Sequence, residues 1–317
     1  MMRKIRNKGL ATVLMLALAL SANAKEQVLS VNVNDVDLSV TLLTAKRAKA
    51  AAIIIAGSGP TDRDGNSAML PGKNNSLKYL AEALAKKGVT TLRYDKRMIG
   101  ASASTAFVEA DLRFDHFVDD AAALSDWLSE RTGLPTILIG HSEGGQIALN
   151  AAQNAKIAGV AVLAGPGRHP ADILLDQLAA QLPPALLERS EEIIAEMRKG
   201  NTVADTPVVL ASLFRSSVQP YMISWFANDP SAQAAALEVP LLLVYGTRDV
   251  QVEASEGDVL SDAQSDATLV VVDGMNHVLK NIGDDESLQN TSYSDPSLPI
   301  DKTLVKSIAD FVSRIVR

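Results

Sequence analysis

Apolar positions follow two different rhythms along this chain. In residues 28–43 they alternate with polar positions around a central Asn34-Asp35, which predicts a hairpin of half-exposed antiparallel strands at a sheet edge. Later runs are apolar without alternation, as in strands buried on both faces of a parallel sheet. These runs cover residues 51–56, 89–94, 136–139 and 159–164.

Helical periodicity separates the buried runs. Apolar residues repeat at the spacing of a helix in residues 77–84 and 117–128, and the segments end at Gly88 and Gly133. Strand and helix patterns therefore alternate, which predicts an α/β fold with a mostly parallel, doubly wound sheet. The alternation resumes near the end of the chain, with strands at 241–245 and 268–272 and a closing helix at 304–315.

Residues 165–239 interrupt this order. They contain two helical stripes and several prolines, and they are far longer than the crossover of about a dozen residues that two parallel strands need. We predict a helical lid here, inserted into a core formed by residues 25–164 and 240–317. Large side chains in the lid are compatible with its own core or with a substrate cavity: Phe214, Tyr221, Met222, Trp225 and Phe226.

The N-terminus has the pattern of an export signal. Basic residues between Arg3 and Lys8 precede an apolar run at 10–20 and the sequence Ala22-Asn23-Ala24. This pattern predicts a signal peptide at residues 1–24, cleaved after Ala24, and a periplasmic or secreted protein. The apolar run is shorter than the roughly 20 residues of a membrane-spanning helix.

Composition narrows the class of partner. The chain has 317 residues, 47% of them apolar, and a formal charge of −7, which loss of the predicted signal would take to −11. Such an acidic surface is a poor match for nucleic acid or anionic lipid, so we expect neither nucleic acid nor a membrane as partner after cleavage. The chain has no cysteine, which excludes disulfides and an N-terminal lipid anchor.

The strongest chemical signal lies in residues 136–150. A β-branched strand leads into Gly140, Ser142 and Gly144, and an amphipathic helix follows. The G-x-S-x-G pattern in a strand–turn–helix context predicts a nucleophilic serine on a sharp turn. The alternative is a glycine-rich turn in which Ser142 only caps the helix.

A serine nucleophile needs a base and an acid that orients the base. His277 follows the last predicted strand, and Asp249 follows the strand before it, so both belong at the carboxyl edge of the sheet together with Ser142. Asp273 is the rival acid, but it lies only four residues from His277 and is better placed to shape the turn. The other histidines are weaker candidates for the base, with the side chain of His141 expected to point away: His116, His141 and His169.

The oxyanion of such a reaction needs two backbone N–H donors. The turn supplies the amide of Glu143, and the loop after the first buried strand supplies that of Ser58, with Gly59 as second choice. A dinucleotide site in this loop is excluded because the loop lacks the third glycine and because Pro60 has no backbone N–H to bind phosphate. No cofactor is predicted, and no metal site, because the chain has no cysteine, histidine pair or acidic repeat of the required spacing.

Five motifs together resemble the α/β-hydrolases of the esterase and serine-aminopeptidase-like group. They are GSGPTDRDGN at 57–66, RYDKRMIGAS at 93–102, GHSEGG at 140–145, GTRD at 246–249 and GMNH at 274–277. The resemblance implies the α/β-hydrolase fold and hydrolysis of small-molecule carboxylic esters with short acyl chains. The chain departs from the pattern at Met98, where related sequences usually have glycine, so the turn there is expected to differ.

Three alternatives stay open. An aminopeptidase or amidase of the same fold would need an acidic group in the lid, and four are available: Glu188, Glu191, Glu192 and Glu196. A non-catalytic binding protein on a hydrolase scaffold is a second possibility. Six charged residues are expected to form a buried ion-pair network that braces the oxyanion loop, and the alternative is contact with a charged substrate. They are Asp62, Arg63, Asp64, Arg93, Asp95 and Arg97.

Overall fold

A computed structural model describes residues 24–104 and 107–317. The predicted signal peptide lies outside these residues, apart from Ala24. Within them, eight strands form one sheet: β1 (Lys25–Val33), β2 (Val36–Thr44), β3 (Ala50–Ile55), β4 (Val89–Tyr94), β5 (Thr136–His141), β6 (Gly159–Leu163), β7 (Leu241–Gly246) and β8 (Thr268–Val272).

The sheet is parallel except at its N-terminal edge. Its strand order is β1-β2-β4-β3-β5-β6-β7-β8, and β1 with β2 and β2 with β4 are the antiparallel pairs. The hairpin turns at Asn34 and Asp35, which both have positive φ (48° and 64°), as a two-residue turn between twisted strands requires. The predicted fold class, a mostly parallel sheet with an N-terminal antiparallel hairpin, is confirmed.

Helices cover both faces of the sheet. They are α1 (Ser76–Lys86), α2 (Phe114–Thr132), α3 (Glu143–Ala151), α4 (Pro170–Ala179), α5 (Pro184–Arg198), α6 (Ala211–Phe214), α7 (Gln219–Phe226), α8 (Pro230–Ala235), α9 (Ser255–Ala263), α10 (Ser287–Thr291) and α11 (Lys302–Ile315). One buried core lies under α1 and α11, and the other lies under α2 and α3 and continues into α4, α5 and α7.

The segment between β6 and β7 is helical and contains α4 to α8. We call it the inserted segment. Phe214 and Phe226 are buried in its contact with the rest of the core, at 0% and 5% exposure. The sequence pattern did not predict α10, which lies in the polar stretch at 281–299. None of the helices in the described part of the chain has the length and apolar character to cross a membrane.

Gly246 sets how closely two loops approach at the carboxyl edge of the sheet. It ends β7, and a Cβ at this position would overlap the carbonyl group of Met275, in the loop after β8. The amide of Arg248 donates to the same carbonyl at 3.0 Å. The loops that carry Asp249 and His277 are therefore held together by backbone contact.

We predict that Gly246→Ala lowers the free energy of unfolding by about 3 kcal/mol, because the added methyl group overlaps backbone atoms. Gly133→Ala is the matched control. Gly133 has a φ of 65° and open space around its Cβ position, so its cost is conformational only, about 1 kcal/mol. Urea unfolding of both variants measures the difference. An equal loss in the two variants would contradict the steric account.

Candidate active site

Ser142 occupies a strained turn between β5 and α3. Its φ of 54° and ψ of −125° lie in a region that side chains other than glycine rarely adopt. Added Cβ atoms at Gly140 or Gly144 would overlap backbone, that of Gly144 in the first case and the carbonyl of Ile55 in the second. The two glycines therefore let β5, α3 and β3 approach closely enough to hold the turn.

Asp249 and His277 form a hydrogen-bonded pair at the same edge of the sheet. Nδ1 of His277 donates to Oδ2 of Asp249 at 2.8 Å, and both side chains are buried. The other oxygen of Asp249 accepts from the amides of Gln251 and Val252 at 2.8 and 2.9 Å, which fixes the carboxylate. The rival acid, Asp273, instead accepts a hydrogen bond from the Thr247 hydroxyl at 3.1 Å.

His141 contacts His277 directly, contrary to the expectation that its side chain points elsewhere. The two rings lie 4.9 Å apart, and Nε2 of His141 donates to the backbone carbonyl of His277 at 2.8 Å. Because His141 immediately precedes Ser142, this contact brings the His277 loop beside the serine turn. Sequence reasoning missed it, because nothing in the spacing indicates a contact across 136 residues.

Burial keeps the His141 ring neutral. Loss of hydration, followed by the neighbouring His277, lowers the pKa of His141 from 6.5 to about 3. Unfolded chain therefore binds a proton between pH 6.5 and pH 3 that the folded protein excludes. The free energy of unfolding falls as the pH decreases through this window.

We predict that His141→Gln weakens this pH dependence, since glutamine can still donate a hydrogen bond but does not titrate. Lowering the pH from 6.5 to 5 should cost the wild type about 1.5 kcal/mol more than the variant. Urea unfolding at the two pH values measures this difference. Burial also lowers the pKa of His116, but that contribution is present in both proteins and cancels. Parallel pH profiles would contradict the prediction.

The loop after β3 passes directly over the serine turn. A Cβ added to Gly57 would lie 3.1 Å from the Cβ of Ser142. Within the described residues, the backbone amides of Ser58 and Glu143 donate no hydrogen bond, so both N–H groups are open to a ligand. The amide of Glu143 is also one of the unpaired N–H groups in the first turn of α3, where the helix dipole favours negative charge.

Five of the six charged residues expected to brace this loop form ion pairs, with one another or with α2, whereas Asp62 accepts hydrogen bonds from the amides of Asp64 and Asn66. Arg63 bonds Asp95 at 2.8 Å, Arg93 bonds Asp64, and Arg97 bonds Asp120 at 2.5 Å. The backbone amide of Arg63 also donates to Asp95 at 2.8 Å. These contacts agree with the expected ion-pair network around the loop and leave these three cations compensated.

A cavity of about 620 Å³ opens above Ser142, which lines it together with Ser58. Apolar side chains form much of its wall, from the core (Ile99, Leu112, Phe117) and from the inserted segment (Met222, Trp225). Of the large side chains in that segment, Tyr221, Met222 and Trp225 thus face the cavity, whereas Phe214 and Phe226 belong to the core.

Met98 is a second strained residue beside the cavity. Its φ is 68°, in the left-handed region that glycine adopts without strain. The chain therefore places a methionine side chain in a backbone conformation suited to glycine, and the expectation of a different turn stays a prediction.

The two remaining histidines lie at helix N-termini. His116 accepts from the Arg113 amide at 3.3 Å at the start of α2, and His169 caps α4 by accepting from the Ala171 amide at 3.2 Å. No cluster of three or more possible ligands in residues 24–104 and 107–317 could hold a metal ion.

The fold and the site together define an α/β-hydrolase: a mostly parallel sheet, a serine on a strand-to-helix turn, and an Asp–His pair at the same edge. A family model described as serine aminopeptidase, S33, matches residues 73–281. The chain belongs to this family of hydrolases.

Proteins named as esterases are similar to this chain in sequence or in structure. Esterase EstD from Thermotoga maritima is 28% identical over 237 residues, which are 72% of this chain and 54% of that protein, so the chain spans about half the length of this relative. The esterase Pf2001 of Pyrococcus furiosus has a similar structure, with a TM-score of 0.56, 17% identity, and coverage of 93% of this chain and 94% of that one. Est1E from Butyrivibrio proteoclasticus, solved with ferulic acid bound, has a TM-score of 0.58 and 18% identity, covering 89% and 99%.

Proposed function

We propose that this protein is a serine esterase that cleaves small, uncharged carboxylic esters with short acyl chains. The observation that carries the proposal is the 2.8 Å hydrogen bond between Asp249 and His277, at the sheet edge where Ser142 stands on its strained turn. Similarity to proteins named as esterases supports the same reaction class. Because residues 1–24 have the pattern of an export signal, the proposed site of hydrolysis is outside the cytoplasm.

In the proposed mechanism, Oγ of Ser142 attacks the acyl carbonyl carbon and Nε2 of His277 takes the hydroxyl proton. Asp249 accepts from Nδ1–H, which leaves Nε2 as the free base and stabilises the imidazolium that forms. Collapse of the tetrahedral intermediate releases the alcohol, which receives the proton from His277. Water then attacks the acyl-enzyme by the same route and frees the acid.

The negative oxygen of the intermediate would be held by the amides of Ser58 and Glu143. Their open N–H groups and the closeness of Gly57 to Ser142 support this assignment. Donors that are already oriented stabilise developing charge more than solvent does, because they need no reorganisation during the reaction.

The charges around the cavity favour an ester over a free amine as substrate. Two carboxylates line it, and both are compensated: Glu109 by Arg215 and Ser217, and Glu143 by Lys96 and Tyr221. The glutamates considered for an aminopeptidase lie elsewhere, on α5, where Glu188, Glu191 and Glu192 are exposed. Glu196, on the same helix, pairs at 2.7 Å with Lys199, the residue that follows the helix.

The first prediction from this proposal is that the wild type hydrolyses p-nitrophenyl acetate and butyrate and that Ser142→Ala reduces kcat by about 10⁴-fold or more. A fluorophosphonate probe should label the wild type at Ser142 and leave the variant unlabelled. Turnover that survives in Ser142→Ala would reject the mechanism. Absence of both turnover and labelling in the folded wild type would support a binding protein instead.

The same assay separates the esterase from the aminopeptidase that the family description names. A panel of acyl esters from two to twelve carbons and of aminoacyl p-nitroanilides should show the highest kcat/KM for the short esters. A higher kcat/KM for the anilides would assign the chain to peptide or amide hydrolysis and would direct attention to Glu109, the more exposed of the two cavity carboxylates.

The second prediction concerns the acid. Asp249→Asn should lower kcat by about 10³- to 10⁴-fold with little change in KM, because the amide no longer holds His277 in the required tautomer. Asp273→Asn is the matched control, since Asp273 lies four residues from His277 but bonds only Thr247 among its side-chain contacts in the described residues. Its kcat should stay within about threefold of the wild type. Equal losses in both variants would contradict the assignment of Asp249.

A further inference from the structure

Lys96 is a buried cation that the proposed mechanism does not use. It follows β4, is 1% exposed, and lines the cavity together with Ser142. Its ammonium lies 4.8 Å from the centre of the Phe117 ring. A buried ammonium is costly unless it is fully partnered, so the contacts that it makes constrain the surrounding chain.

The first contact fixes the direction of one amide. Nζ of Lys96 donates to the carbonyl of Gly57 at 2.7 Å. That carbonyl shares a planar peptide unit with the N–H of Ser58, and in a trans peptide the two groups point in opposite directions. The described residues contain no cis peptide bond. Holding the carbonyl therefore turns the Ser58 N–H away from Lys96.

The second contact reaches the other amide. Nζ of Lys96 also donates to the Glu143 carboxylate at 2.7 Å, and this side chain belongs to the residue whose backbone N–H is the other open donor beside Ser142. One ammonium thus ties together the loop after β3 and the first turn of α3, two segments that lie just beyond the paired ends of β3 and β5.

The inserted segment reaches the same carboxylate. The hydroxyl of Tyr221, on α7, donates to the second oxygen of Glu143, and its ring packs 5.6 Å from that of Phe117. Each oxygen of the carboxylate therefore has a hydrogen-bond donor, one from the ammonium and one from the phenol of the inserted segment.

We propose that Lys96 is a positioning residue that sets the distance and orientation between the amides of Ser58 and Glu143, and so builds the oxyanion site from two separate loops. The inference rests on the proposed function. Lys96 touches neither the substrate nor the reacting atoms in this scheme. It acts through the Gly57 carbonyl and the Glu143 side chain.

The test is Lys96→Met, which keeps the length of the stem and removes the ammonium. We expect kcat for p-nitrophenyl butyrate to fall about 10- to 100-fold with KM within about twofold, less than the loss of a whole donor. Affinity for butylboronic acid, whose adduct with Ser142 places a negative oxygen in the same site, should fall by a similar factor. Affinity for butyramide, which forms no adduct, should stay the same.

Two further variants keep the result decisive. If Lys96→Met does not fold, Lys96→Met/Glu143→Gln removes the unmatched carboxylate charge and should show the same selective loss of boronate affinity. Tyr221→Phe leaves the ammonium and its Gly57 contact in place, so the ratio of its boronate affinity to its butyramide affinity should stay within about threefold of the wild-type ratio. A fall of this ratio in Tyr221→Phe as large as that in Lys96→Met would attribute the effect to packing of the inserted segment and overturn the proposal.

The remaining outcomes separate this inference from the proposed function. A wild type without esterase turnover, or turnover that persists in Ser142→Ala, removes the proposed function itself. An active wild type together with a folded Lys96→Met protein of unchanged kcat overturns the role of Lys96 alone. Equal falls in the boronate and butyramide affinities of Lys96→Met would also overturn the role of Lys96 alone.

Discussion

The close approach of three backbone segments around Ser142 is the constraint on which the rest of the structure depends. Gly57, Gly140 and Gly144 each lie where a Cβ would press on neighbouring atoms, so the end of β3, the end of β5 and the start of α3 meet at backbone distance. A residue in the conformation of Ser142 costs of order 1–3 kcal/mol and persists only when its surroundings determine it. The buried strands β3 and β6 pair with β5 on its two sides and hold the end of β5, and with it Ser142, in place.

The buried charges near Ser142 are arranged in ion pairs between segments that meet there. Buried cations beside the cavity each have a carboxylate partner, Lys96 with Glu143 and Arg97 with Asp120, so the interior near Ser142 is polar without being strongly charged. His141 adds a neutral ring against His277. Dipoles and hydrogen bonds that are fixed in advance are the feature that electrostatic catalysis requires, and here they come from segments far apart in sequence.

The sequence predicted the elements well and the contacts between them only in part. The buried strands, the hairpin turn at Asn34-Asp35 and the helices α1, α2 and α11 follow from apolar spacing, glycines and turn residues, which are local signals. The meeting of Asp249 with His277 followed from strand order, because parallel strands end at one edge. Local pattern also indicated that residues 165–239 are helical.

The contacts that the sequence did not predict join residues that are far apart along the chain. The contact of His141 with His277, and that of Lys96 with Glu143, join residues with no periodic relation. Met98 has a positive φ, which glycine adopts more readily than methionine, so the local pattern does not explain the residue at this position. Its side chain lines the cavity. Local rules fail most often where a site imposes its own geometry, and these residues surround Ser142.

The position of Trp225 gives this protein an optical property. The chain has two tryptophans, and Trp225 lines the cavity while its indole N–H bonds Gln146 on α3 at 2.7 Å. The other, Trp127, packs under the guanidinium of Arg131 on α2. Intrinsic tryptophan fluorescence therefore carries a signal from the cavity wall, without any added dye.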